Sequence, residues 1–195
     1  MSKTIGAVAA AIMLASCSAG STTMSTSALD NACAIAAERP SYLRAMQRSE
    51  RVWGVPVAVQ MATIYQESKF VPNARTPRRK LFGFIPGKRI SSAKGFSQAI
   101  DGTWEEYRNA TGNRLASRTN ISDATDFIGW YMATSQERLG ISTNDARNQY
   151  LAYHEGRGGY ARGSHRGKGW LLNVAGEVES RAVVYDRQLR SCGLT

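Results

Sequence analysis

Apolar residues recur at helical spacing along most of the chain, with polar residues between them. Ala32, Ile35, Ala36, Leu43 and Met46 predict a helix over 30–51, open to interruption at Pro40. A second opens with Pro56 at its first position, where a missing N–H removes nothing, and carries Val57, Met61 and Ile64 on one face to about Ser68. Asp101 or Thr103 caps a third through Trp104 and Tyr107, ending near Gly112. Ser122 or Asp123 starts a fourth, with Phe127, Ile128, Tyr131 and Met132, and Gly140 stops it. Thr143 caps a fifth that runs through Tyr150 and Tyr153 to Gly156. The last extends from Trp170 or Asn173 to Leu189.

The periodicity fails over 71–97. Pro72, Pro77, Pro86, Gly83, Gly87 and Gly95 punctuate that stretch, among Arg78, Arg79, Lys80, Lys88 and Arg89. Its centre, 81–85, reads either as a short strand or as an apolar loop facing a cleft. Long irregular insertions in compact domains are often functional. The pattern predicts one mostly α domain over 30–195, a size that suits a single core, with an irregular or short-strand insertion.

The first residues read as an address. Lys3 precedes an apolar run over 5–14, too short to span a bilayer, which needs about 20 residues, but suited to an export signal. Its ending, Leu14-Ala15-Ser16-Cys17, resembles the lipobox of bacterial lipoproteins. That resemblance implies a leader over 1–17, cleavage before Cys17 and its acylation, hence a membrane anchor. Ser18 in the next position implies an outer membrane, facing the periplasm. The competing reading is an ordinary secretory leader with Cys17 incidental. Residues 18–29, rich in Ser and Thr, read as a flexible tether. With Cys17 lipidated and the chain exported to an oxidising compartment, Cys33 and Cys192 are expected to pair; the alternative is two buried thiols. With the cysteines accounted for, His154 and His165 leave no metal-ligand spacing, and no cofactor is implied.

The formal net charge is +10, or +9 once Lys3 leaves with the leader. Export argues against nucleic acid. A cationic surface suits other anionic targets, among them cell-wall stem peptides, wall polymers and lipid headgroups.

Glu67 follows Ile64 by three residues and so continues an apolar helix face close to a C-terminal helix end. Partial burial and the helix dipole both oppose its ionisation, and a carboxyl kept protonated near neutrality can protonate a leaving oxygen. Periodicity alone favours instead a Glu67 that borders the helix and points to water.

Glu67-Ser68 followed by Phe70, Pro72 and Ala74 resembles the catalytic Glu-Ser motif of soluble lytic transglycosylases and goose-type lysozymes. Gly95-Phe96-Ser97-Gln98 stands where that family has Gly-Leu-Met-Gln, and Ala152-Tyr153-His154-Glu155-Gly156 where it has Ala-Tyr-Asn-Ala-Gly. The resemblance spans about ninety residues, from Glu67 to Gly156. It implies a goose-lysozyme-like α fold and a peptidoglycan lytic transglycosylase that makes 1,6-anhydromuramic ends with Glu67 as single acid and base. It further implies that Ser68 bonds substrate, Gln98 lines a saccharide subsite and Tyr153 orients Glu67.

Departures from the pattern open alternatives. Ser97 replaces methionine. His154 replaces asparagine, and either bonds substrate or is an exposed helix-end histidine. Glu155 replaces alanine; it is read as a solvent-facing helix-end residue, or as the group that positions a water and makes the enzyme a hydrolytic muramidase. Asp101 is a weaker candidate for that role. A non-catalytic wall-binding lipoprotein on the same scaffold is a further reading. The glycine-rich stretch 157–163 lacks a phosphate-loop ending and reads as a flexible cleft edge. Tyr160, Trp170, Phe82 and Phe84 are candidate sugar-stacking aromatics. The cationic runs 78–80 and 88–89 read as contacts to wall carboxylates or as solvated loop charge.

Overall fold

The computed structural model describes residues 24–81 and 84–194. The leader, Cys17 and Phe82 lie outside them. The described chain is mostly helical, with α1 (Thr26–Leu29), α2 (Ala32–Glu38), α3 (Pro40–Trp53) and α4 (Val57–Ser68) before the insertion. A two-stranded antiparallel hairpin follows, β1 (Arg78–Leu81) and β2 (Ile85–Arg89). Then come α5 (Asp101–Thr111), α6 (Ile121–Leu139), α7 (Ala146–Glu155), α8 (Arg157–Ala161) and α9 (Gly169–Ser191).

α4 occupies the centre because its sequence is apolar almost all round, and every residue from Val57 to Ile64 is buried. α9 packs along it, and α3 packs against both α4 and α6. Gln60, fully buried in α4, donates to the carbonyls of Met46 (3.1 Å) and Val55 (2.8 Å), so its amide nitrogen is satisfied where the helices meet. Fully burying side chains such as Ile64, Ile128 and Leu171 contributes about 1.5–3 kcal/mol each.

Several helix ends differ from the sequence expectation, each for a local reason. The first helix does break at Pro40, which begins α3 at a position needing no N–H. Pro56 is itself extended (ψ 142°), so α4 starts one residue later. α5 begins at Asp101 behind Ile100, with no side-chain cap; the Asp101 carboxylate pairs instead with Arg118 at 2.6 Å. Asn120, rather than Ser122 or Asp123, caps α6, and Asp145, rather than Thr143, caps α7. The glycine-rich stretch forms α8. Within the expected tether, Thr26–Leu29 is helical, capped by Ser25, because Ala28 and Leu29 find burial on the body.

The N-terminal segment is clasped to the C-terminal part of α9. The Cys33–Cys192 disulfide joins them (Cα–Cα 6.4 Å), the Ala32 N–H donates to Gln188 Oε1 at 2.8 Å, and Arg181 pairs with Asp30 at 2.9 Å.

Candidate active site

Glu67 is the penultimate residue of α4. The helix ends abruptly after it because Lys69 (φ 51°) and Phe70 (φ 59°) are both left-handed. Phe70 is held there by burial and by stacking on Tyr42 at 6.1 Å. Gln98 (φ 48°) completes the set of left-handed non-glycine residues among the described residues, so all of them lie in the first two motif segments. Each such residue costs roughly 1 kcal/mol or more, and strain of this kind gathers at functional sites.

Hydrogen bonds stitch the three motif segments together. Gln98 Nε2 donates to the Ala74 carbonyl at 3.1 Å, tying the second segment to the first. The Tyr153 hydroxyl donates to the Ser97 carbonyl at 2.6 Å, tying the third to the second. Gly95 makes the close approach possible: at φ +77°, a Cβ there would stand 1.9 Å from the Arg118 carbonyl oxygen.

The half-buried Glu67 carboxyl is pushed up to about 7 by desolvation, partly opposed by a hydrogen-bonding interaction with the Tyr150 hydroxyl. Tyr150 and Tyr153 are both raised, chiefly by burial and further by the Glu67 charge, so both phenols stay protonated beside it. A lone carboxyl flanked by two phenols can hold a proton at neutrality, release it to a leaving oxygen and take another back.

The other expected residues fall into two groups. Gln98 and Tyr153 are in the stitched cluster, although Tyr153 donates to Ser97 and it is Tyr150 that engages Glu67. Tyr150 lies outside the three motifs; helical spacing is its one sequence signal and places it one turn before Tyr153 and His154. Ser68 is buried and donates to the Ile64 carbonyl within its own helix (3.2 Å). His154 is exposed and meets Trp170 edge-to-face at 5.2 Å.

Glu155 departs from its reading as a solvent-facing residue. Its side chain is 5 % exposed, bonded by Lys168 Nζ (2.7 and 2.9 Å) and by the Ser164 hydroxyl, with His154 Nδ1 at 3.2 Å. The Lys168 bond first, and Ser164 next, hold its carboxyl down at about 2. Among the described residues no group of three or more His, Cys, Asp or Glu could hold a metal ion. Two surface grooves, one around Val57, Glu179 and Arg190, the other around Tyr65, Arg147 and Arg181, do not include Glu67.

The family model described as a transglycosylase SLT domain covers residues 5–192, which takes in Glu67, the hairpin, the stitched segments and both disulfide cysteines. No curated protein and no solved structure matches the chain. With the match running over nearly the whole length of a mostly helical chain, the protein belongs to the transglycosylase SLT domain family.

Proposed function

We propose that the chain is a peptidoglycan lytic transglycosylase that cleaves the MurNAc–GlcNAc β-1,4 bond, with Glu67 as its single acid and base. The observation that supports this reading is Glu67 itself, a carboxyl at the end of α4 lifted to about 7 by desolvation and engaged by the Tyr150 hydroxyl. Protonated Glu67 gives its proton to the glycosidic oxygen as the bond to C1 breaks. The resulting carboxylate takes the proton of the muramic 6-hydroxyl as that oxygen bonds to C1. The 1,6-anhydro ring forms, Glu67 regains its proton and no water is consumed.

The hydrolytic alternative requires a carboxylate free to activate water, as in most glycosidases. Both candidates for that role are engaged elsewhere, Glu155 with Lys168 and Ser164, Asp101 with Arg118. This favours the lyase over the muramidase. Gln98, fixed by its amide nitrogen, keeps its carbonyl oxygen for a saccharide hydroxyl; His154 and Trp170 offer an exposed surface one turn from Tyr150. Ser68 serves the helix end more than the substrate. Acylation of Cys17 would place the enzyme at the envelope, on the periplasmic face of an outer membrane. No described helix is long and apolar enough to cross a membrane.

Mass spectrometry of peptidoglycan digested by the purified chain, beside Glu67→Gln, tests the reading. Anhydromuropeptides from the wild type and none from the variant are expected. Reducing-end products would make the enzyme a muramidase, and binding without any release would make it a wall-binding protein.

A further inference from the structure

The positive charge of this chain is concentrated in one place. Between Glu67 and Asp101 the sequence holds eight lysines and arginines and no acidic residue, so most of the +10 net charge resides in the insertion. On the hairpin, Arg78, Arg79, Lys80, Lys88 and Arg89 are all exposed. Arg78 stands directly opposite Arg89 in the strand register, an arrangement of like charges that destabilises a hairpin. Those two donate to backbone carbonyls, Arg78 to Gly87 (3.4 Å) and Arg89 to Thr76 (2.6 Å), while Arg79, Lys80 and Lys88 have no acidic partner among the described residues. A fold that keeps five unneutralised cations on two short strands is arranged to meet anions supplied from outside.

The hairpin is also rooted in the catalytic cluster. Arg75 and Lys94, one on each side of its base, bridge each other, and the Gly95 N–H donates to the Ala74 carbonyl at 2.9 Å. That same Ala74 carbonyl accepts from Gln98, next to the Ser97 carbonyl that receives the Tyr153 hydroxyl. The hairpin therefore grows directly out of the segments that carry Ala74 and Gln98.

We propose that the β1–β2 hairpin is a recognition surface for the carboxylates of the short acidic peptides borne by the glycan strands, selecting peptide-bearing over peptide-free glycan. This rests on the substrate reading above. Guanidinium and ammonium groups suit carboxylates, Arg through its two-pronged donor face and Lys as a point charge. The position beside the Glu67 cluster favours the substrate's own substituents over an anionic membrane, although Phe84 at the turn is 77 % exposed.

The test measures binding, so that it stands apart from turnover. Full-length Glu67→Gln, with and without Arg79→Gln, Lys80→Gln and Lys88→Gln together, is cosedimented with peptidoglycan and with the same material stripped of its peptides by an amidase. The three substitutions are expected to weaken binding to peptide-bearing strands roughly tenfold at low salt and little at high salt, with a much smaller effect on stripped glycan. Unchanged thermal melting would show that the fold survives. Equal weakening on both substrates, or none on either, overturns the proposal. So does loss of binding to vesicles containing anionic phospholipid with peptidoglycan binding intact, which would assign the hairpin to the membrane. If Glu67→Gln binds neither form of glycan, the substrate reading itself falls.

Discussion

The proton on Glu67 links chemistry to stability. Its carboxyl would titrate near 4.5 in water and does so at about 7 here, because burial disfavours the charge. Between those values the folded chain holds a proton that the unfolded chain has released, so stability falls as pH rises through that window. The full penalty above pH 7 is at most about 3 kcal/mol. We expect Glu67→Gln to melt higher than the wild type at pH 8 and the gap to close near pH 4.5, which paired thermal melts would check. Activity that needs the protonated acid should decline as pH rises through about 7. The Tyr150 hydroxyl favours the ionised form and so lowers the Glu67 pKa. Tyr150→Phe should therefore move the alkaline limb of the pH–rate profile to higher pH while lowering kcat; a limb that moved down would show that the hydroxyl does not act this way.

At the scale of elements, the site exists because three segments are held in register by few contacts. Gly95→Ala would drive a Cβ into the Arg118 carbonyl and force a left-handed alanine, so we expect a loss of at least about 2–3 kcal/mol by denaturant melts and a displaced Gln98. How far such features were legible follows from their range. α4 was readable because a continuous apolar run needs no partner to declare itself. The caps were not, because Asn120 and Ser122 are equally able to cap and only backbone geometry decides whose oxygen reaches the free N–H groups. Glu67 stands out through the Glu-Ser resemblance rather than through spacing, while Tyr150 as its neighbour depends on how α7 packs against α9 and α6. The enclosed setting of Glu155 is not visible in its motif because its ion-pair partner, Lys168, lies thirteen residues away across α8 and a turn. The hairpin showed in composition as an insertion, and its strands emerged only through pairing.

For the whole molecule, the Cys33–Cys192 bond has the largest reach. It spans 159 residues of sequence, and the chain-entropy account assigns such a closure about 5 kcal/mol. Replacing both cysteines with serine should lower Tm by roughly 10–20 °C in calorimetry. Wild type and variant should then melt alike under reducing conditions; a difference that persisted there would place the effect in the substitutions and not in the bond. The same bond determines how the protein bears load. Tension entering near residue 33 leaves near residue 192 across Cα atoms 6.4 Å apart, through a covalent link that bypasses the intervening fold. Pulled at these two positions, the oxidised molecule has almost no length to yield, so the fold between them carries no load until the sulfurs are reduced.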